Sequence, residues 1–465
     1  MTTAGAPTPS NTKRDPYRLD KSNAHFRKAV QKLPLGVSSN FRYWGDNNTV
    51  YVKHGRGARI WDLDDNVYID YRLGYGPAIL GHCHPEVDAA AREGQQVGTV
   101  FALGTEREFA VAELISEMVP AAELVRFSNS GTEAVMAALR LARGATGKDH
   151  YVTFEGSYHG LFDSTMWTLD TDTIQEGREP EIVSYGKGIP GAVRNLFWQV
   201  PYNDAGRLED VLKKHGHTIA AVLIEPILGN CCGIPSKPEF IKAVRELCTK
   251  YGVLMIVDEV KTGFRVRRGG AQELYGVKAD ICTMAKAVAN GYPIACIGGR
   301  EDIMRNYGRG VAHGGTYTAQ AMSLAAAEKT LTILRDTDAL EDIEAYGLAM
   351  QEGMHKILKA RGVPHSFTGH PSMSGLFFRE TPPSNYRDWK TSDYTFYDTL
   401  AHHLIPRGVM CEPDSREPWF ISTAHDKACL EETLSTFEYC VDLTIEELAR
   451  TQKAKAAPVM TGITA

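Results

Sequence analysis

The sequence predicts an α/β fold, with a mostly parallel central sheet covered by helices on both faces and a smaller α+β domain attached to it. Three observations carry that expectation. Between about Gly74 and Thr330, five short apolar runs, at residues 124–127, 150–154, 220–224, 253–257 and 281–284, alternate with helical segments. Largely apolar, β-branched runs of that length mark strands buried on both sides. Glu225, Asp258 and Lys286 stand where three of these runs end, and ligands of open α/β sheets gather at that edge. The chain is also long enough, since 465 residues bury a large core divided into two or three lobes.

Taken in order, Met1 to Ser10 are rich in Thr, Ala and Pro and lack both a basic start and an apolar stretch. A flexible leader over 1–20 is expected there, and no secretory signal. Apolar positions at helical spacing predict a helix over 22–33. Strand-like segments at 50–53, 58–62 and 67–71 are separated by His54-Gly55-Arg56-Gly57 and Asp64-Asp65-Asn66. Those turn residues predict a small antiparallel cap, so that helix and cap occupy 21–73. The large domain is expected over 74–335. Beyond Leu340 the pattern gives two helices, a strand at 373–378, a helix near 394–404 and a last amphipathic helix from about 427 to 448, a smaller domain over 336–450. The Ala/Lys-rich tail, 451–465, is expected to be flexible.

Composition narrows the functional classes. A net charge of −6 supplies no basic field for nucleic acid or an anionic membrane, and no run approaches the roughly 18 apolar residues of a membrane span. Partners are therefore expected to be small molecules and other protein chains. The nine cysteines are scattered and odd in number, which points to free thiols in a reducing, cytoplasmic compartment. Adjacent Cys231-Cys232 read as small buried residues, and His82-Cys83-His84 before Pro85 as loop histidines, so no metal site is expected.

The chemistry concentrates on a few motifs. Lys286 follows the run 281–284 and precedes Asn290-Gly291-Tyr292-Pro293, while Asp258 closes the run before it. One lysine and one aspartate at strand ends suit pyridoxal phosphate. A Schiff-base lysine needs a sheltered amine whose pKa can fall, and a pyridine nitrogen needs a fixed carboxylate. Alone, each residue reads more readily as a solvated loop lysine or a helix N-cap, and it is the motifs around them that favour the cofactor. Ser128-Asn129-Ser130-Gly131-Thr132-Glu133-Ala134 opens a helix directly after a strand. Its unpaired amides, Gly131 and the hydroxyls of Ser130 and Thr132 make an anion site, and the same residues also spell a plain capping box. Tyr158-His159-Gly160 offers an aromatic face for a flat ring, Glu225-Pro226 a second carboxylate, and Val260 an apolar contact on the ring face opposite Tyr158.

In order and spacing these motifs, together with Thr262-Gly263-Phe264-Arg265 and Gly314-Gly315-Thr316, resemble the class III pyridoxal-phosphate-dependent aminotransferases. Within them the chain is most similar to the glutamate semialdehyde aminomutase subgroup, through Gly36-Val37-Ser38-Ser39 with Arg42, Trp61-Asp62 and Ile69-Asp70-Tyr71, and the likeness runs from about 22 to 445. The resemblance implies the fold-type I, aspartate aminotransferase-like architecture. It implies that Lys286 forms the Schiff base, Asp258 pairs with the pyridine nitrogen, and Tyr158 stacks on the ring beside His159. Gly131 and Thr132, with Ser130, would hold the phosphate, and Glu225 would orient groups near the ring hydroxyl. It also implies a homodimer with shared active sites, in which Thr316 reaches the phosphate held by the other subunit.

Substrate recognition is implied at three positions. Arg42 matches the position where aminomutase-like enzymes bind a substrate carboxylate, Arg416 resembles a mobile carboxylate-binding arginine of β-amino-acid aminotransferases, and Glu417 matches an acidic gate. Two stretches depart from the aminomutase pattern. Pro418-Trp419 stand where small residues are expected, and 161–190 reads Met166-Trp167-Thr168-Leu169-Asp170 in place of a glycine-rich gating loop. A mutase must retain its intermediate, so the expected activity is transamination between two molecules, from an amino acid or amine, β-amino acids included, to a 2-oxo acid. An intramolecular mutase is the alternative. A nicotinamide enzyme is disfavoured because no G-x-G-x-x-G follows an early strand, and a non-catalytic cofactor-binding protein because Lys286 is kept.

Overall fold

A computed structural model describes residues 15–175 and 178–456. Most of the expected leader and the last residues of the expected tail, 1–14 and 457–465, lie outside the described residues. Helix α1 (Asp20–Ala29) ends earlier than its apolar spacing suggests. Proline excludes helical backbone from the residue before it, and Leu33 ahead of Pro34 is extended at φ −119°, ψ 124°. Strands β1 (Val52–Arg56), β2 (Arg59–Asp62) and β3 (Val67–Asp70) pair antiparallel. The first hairpin turns at Gly57-Ala58, later than the expected turn, because Gly57 at φ +57° supplies the positive φ that a two-residue loop demands.

The central sheet has seven strands. In chain order the next strands are β4 (Leu124–Ser128), β5 (His150–Phe154), a hairpin of β6 (Trp167–Leu169) and β7 (Ile182–Ser184), β8 (Phe197–Val200), β9 (Ile219–Ile224), a ribbon of β10 (Ile227–Leu228) and β11 (Ile234–Pro235), β12 (Leu254–Asp258), β13 (Ile281–Met284) and β14 (Ala295–Gly299). The order across the sheet is β4-β14-β13-β12-β9-β5-β8. Only β14 runs against its neighbours, β13 and β4; the other pairs are parallel. The sequence pattern misses β8 and β14. In β14 the small residues Ala295, Gly298 and Gly299 replace a β-branched run, and a Cβ on Gly298 would lie 2.7 Å from that of Ala122.

Burial on both faces explains the apolar runs. Helix α4 (Gly131–Thr146) presses Val135, Ala138 and Leu141 against Leu223, Ile256 and Ile297 on one side. Helices α2 (Pro85–Val97) and α3 (Glu106–Met118) pack with the helix Ala321–Asp336, and Ile115 and Leu331 from that group belong to the core cluster that holds Val257 and Met284. Each fully buried Val, Leu or Ile contributes about 1.5–3 kcal/mol. The parallel strands therefore end at one edge, with Ser128 and Asp258 on their last positions and Glu225 and Lys286 just beyond.

In place of two helices after Leu340 there is one, Ala339–Ala360. Its interior glycines serve packing: a Cβ on Gly347 would meet the Pro371 carbonyl at 2.1 Å, and one on Gly353 would meet Leu434 at 2.4 Å. Strands β15 (Ser366–His370), β16 (Met373–Phe377) and β18 (Trp419–Phe420) form an antiparallel sheet, while β17 (Val409–Met410) adds parallel to β3 as a fourth strand of the N-terminal sheet. The cap thus shares its sheet with the C-terminal segment. The last helix, Lys427–Ala456, runs into the expected tail. Arg265 binds these regions together from a fully buried position. Its guanidinium donates to the carbonyls of Ser372 (3.2 Å) and Ile421 (2.8 Å) and to that of Gly76, and sits 5.3 Å from the Phe420 ring.

Candidate active site

Two adjoining cavities open at the carboxyl edge of the parallel strands. The inner one, about 280 Å³, is lined by residues that include Ser130, Gly131, Thr132, Tyr158, His159, Glu225, Asp258, Val260 and Lys286. Ten predicted cofactor positions were distributed along the chain from Ser130 to Thr316, and all but Thr316 meet here. Lys286 sits at the start of a single 3-10 turn after β13, at φ +47°. Left-handed backbone at a non-glycine residue costs about 1–3 kcal/mol and persists where the surroundings impose it. Burial, reinforced by the nearby positive charge of Lys261, lowers the Lys286 pKa to about 8 against the pull of Glu417, Asp258 and Glu225.

Asp258 is buried and held by three partners. One oxygen pairs with Nδ1 of His159 at 2.7 Å, and the other accepts the Val260 amide at 3.0 Å and the Thr283 hydroxyl at 3.1 Å. Nε2 of buried His159 has no hydrogen-bond partner among the described residues. Glu225 accepts the amides of Tyr158 (2.7 Å) and Gly229 (3.2 Å), and burial, helped by the charge of Asp258, raises its pKa to about 7. The Tyr158 ring meets Phe41 edge-on at 6.4 Å.

At the mouth of α4, Ser130 caps the helix by accepting the Glu133 amide at 3.3 Å, and Glu133 accepts the Asn129 amide at 2.7 Å. The capping reading is therefore satisfied in geometry, and the cavity lies against the same turn. The approach is close. A Cβ on Gly131 would come within 3.0 Å of Val260, and one on Gly160, at φ +96°, within 2.5 Å of the Thr132 hydroxyl. These residues fit a phosphorylated pyridine aldehyde: a helix N-terminus for the anion, a fixed carboxylate for the ring nitrogen, Tyr158 and Val260 for the ring, and an amine of lowered basicity for the aldehyde.

The outer cavity, about 220 Å³, shares Tyr158, Lys261 and Lys286 with the inner one. Phe41, Tyr75, Trp167, Tyr185, Tyr386 and Trp389 give it an aromatic wall. Three ion pairs stand around it: Lys261 with Glu417 at 2.7 Å, Arg72 with Glu412 at 2.7 Å, and Arg416 with Asp414 at 2.8 Å. Arg416 and Glu417 lie in this wall as expected, each already paired.

Arg42 is not among the residues that line either cavity. It ends the 3-10 turn Asn40–Arg42 on its exposed side, while its neighbour Phe41 faces the cavity. Thr316 is also exposed and lies apart, in a cleft of about 550 Å³ lined by Phe101, Leu103, Phe109 and His313 among others. His82 pairs with Asp70 at 2.8 Å, and both Cys231 and Cys232 are buried. Sequence reasoning missed Lys261, Asn230, Arg72, Glu412 and Thr283. Only Lys261 carried a visible signal, as a lysine inside the otherwise apolar and acidic Asp258-Glu259-Val260 stretch.

Comparison with known proteins agrees with this geometry. The sequence model described as aminotransferase class-III matches residues 41–436. Glutamate-1-semialdehyde 2,1-aminomutase 2 of Brevibacillus brevis is 40% identical over 419 residues, which cover 89% of this chain and 96% of that one. Among solved structures, an omega-transaminase from Sphaerobacter thermophilus superposes with a TM-score of 0.83 at 30% identity, over 91% of this chain and 97% of that one. A β-phenylalanine aminotransferase from Variovorax paradoxus does so with a TM-score of 0.81 at 27% identity, over 92% and 95%.

Proposed function

Because this chain belongs to the class III aminotransferases, we infer that it moves an amino group between two molecules, from an amino acid or amine to a 2-oxo acid, with β-amino acids among its donors. The chain is a pyridoxal-phosphate enzyme. Bound in the inner cavity, pyridoxal phosphate supplies an aldehyde that condenses with amines and a protonated ring that draws electrons from the amine-bearing carbon. The protein's own residues do the rest. Asp258, steadied by His159, keeps a proton on the ring nitrogen, Tyr158 and Val260 hold the ring, and Glu225 orients its hydroxyl side. Ser130, Gly131 and Thr132 receive the phosphate. Nζ of Lys286 takes a proton from the amine-bearing carbon and returns it, and its low basicity suits that role.

The observation that carries transfer between two molecules is the wall after Gly160. Trp167, Thr168 and Leu169 pair with Ser184, Val183 and Ile182 in a hairpin. The indole of Trp167 donates to the Asp163 carbonyl at 2.8 Å, Thr168 meets the Tyr386 hydroxyl at 3.2 Å, and Arg387 meets Glu179 at 3.1 Å. A wall tied down in this way supports a site open to successive substrates, whereas a mutase needs a gate that retains its intermediate. The aromatic lining supports bulky donors, as does likeness to the Variovorax paradoxus enzyme, whose substrate is β-phenylalanine. Identity with the Brevibacillus brevis aminomutase supports the second reading, an intramolecular mutase.

One assay separates them. With a panel of α-amino acids, β-amino acids and amines, product is expected only when pyruvate or 2-oxoglutarate is added. Conversion of glutamate 1-semialdehyde with no added acceptor would favour the mutase and overturn transamination. Lys286→Ala is expected to lower turnover by about 10²–10⁴-fold.

The working unit proposed is a homodimer, and no helix among the described residues is long and apolar enough to cross a membrane. Support comes from the Thr316 cleft, whose lining residues Leu103 and Phe109 are 80% and 70% exposed, and from Tyr317, next to Thr316 in the chain and 64% exposed. Large apolar side chains clustered at that exposure suit a protein partner, and Thr316 of one protomer would then reach the phosphate site of its partner.

A further inference from the structure

We propose that Lys261 is a positioning residue for the protonation of Lys286: its ammonium, fixed between Glu417 and Asn230 where the two cavities meet, sets how readily the nitrogen of Lys286 sheds a proton. The inference rests on the reading of Lys286 as the cofactor-bearing lysine.

Lys261 is buried, and lysine is rarely buried without a paired charge. Its Nζ donates to Asn230 at 2.6 Å and to Glu417 at 2.7 Å. The backbone is built to admit it, since a Cβ on Gly229 would lie 2.1 Å from the Lys261 Cδ. Both cavities are lined by Lys261 and Lys286 together, and Lys261 is buried, so the two amines act on each other through surroundings less polar than bulk water.

The charges that face Lys286 do not balance without Lys261. From the end of β12 comes Asp258, paired with His159, and from the end of β9 comes Glu225. Glu417 comes from the segment before β18. Glu412, Arg416 and Arg72 form the farther wall, paired as described, and burial raises the pKa of the Tyr158 phenol. Three carboxylates would hold a proton on Lys286, and Lys261 is the cation set against them. The effects on the Lys286 pKa follow this geometry: burial and Lys261 lower it, and Glu417, Asp258 and Glu225 raise it. The same field acts on that nitrogen whether it is free or joined to the cofactor.

Lys261 and Glu417 are therefore opposed controls, and removing one leaves the other unbalanced. The test uses purified holoenzyme reconstituted with pyridoxal phosphate, following its visible absorption against pH as a report on the nitrogen of Lys286. Lys261→Met is expected to move the midpoint upward by about 1 pH unit or more, and Glu417→Gln to move it downward by a similar amount. The double variant should return close to wild type, and Lys261→Arg, which keeps the charge, should stay there. The acidic limb of the kcat/KM profile should shift in parallel. Midpoints that stay put, or that move the same way in both single variants, overturn the inference while leaving the functional reading intact. If wild-type protein gains no visible absorption with pyridoxal phosphate, the functional reading fails, and the inference with it. A poorly folded Lys261→Met leaves Glu417→Gln as an independent arm, and an unmoved or raised midpoint there overturns the inference alone.

Discussion

Glu225 spends its hydrogen-bonding capacity on backbone amides, and its carboxyl, raised from 4.5 to about 7 by burial, gives the fold a specific pH dependence. A group whose pKa rises on folding favours the folded state when protonated. That contribution is complete below about 4.5 and is lost as pH climbs toward 7. Glu225→Gln removes the titration. The thermal midpoint of the variant relative to wild type should therefore rise across this window, by about 2 °C or more, and differential scanning calorimetry at several pH values reads it. At this scale the sequence was legible wherever a residue stood at the end of an apolar run. Asp258, Lys286 and Glu225 announced themselves in that way, and Ser130 to Thr132 did so by opening a helix. Arg72 did not, and Lys261 did so only as a lone lysine beside Asp258-Glu259-Val260, because their role depends on Glu412 and Glu417, which join them only through the folding of distant segments. The position of Arg42 was not legible either, since a short 3-10 turn decides which of two neighbours faces inward, and Phe41 is the one that lines the cavity.

Among the elements, the regular strands and helices of the large domain could be read from periodicity, while β8, β14 and the helix Ala339–Ala360 could not. Ala295 to Gly299 lacks the β-branched pattern because close packing against Ala122 requires small residues. Gly347 and Gly353 lie inside that single helix, where both are contact points for neighbouring elements. Arg265 is the element-scale counterpart of those contacts, joining the loop after β3 to the strands of the small domain through three carbonyls. Leaving buried carbonyls without a donor costs roughly 1–3 kcal/mol each. Arg265→Met is therefore expected to destabilise the protein by about 3 kcal/mol or more, seen as a lower urea midpoint. Lys is not expected to rescue it, because one ammonium does not span the carbonyls of Gly76 and Ile421 as a forked guanidinium does.

For the whole molecule, the exposed apolar residues around Thr316 make assembly the decisive question. Phe109→Asp together with Leu103→Asp should convert a dimer to monomers in analytical ultracentrifugation, and the monomers should retain cofactor about tenfold or more less tightly if Thr316 acts across the interface. Thr316→Ala should weaken retention while leaving the dimer whole. Composition made the general class of the protein visible, but that cleft was not, because its lining comes from segments near 100 and 315 that touch only in three dimensions. The parallel strand Val409–Met410 beside Val67–Asp70 has a further consequence for biosynthesis. A ribosome has to release the chain beyond Met410, about 340 residues after β3, before the edge left open by β3 can close. During translation that edge stays a bare template for stray pairing, so slowed or truncated synthesis short of position 409 should yield aggregates rather than a partly working enzyme.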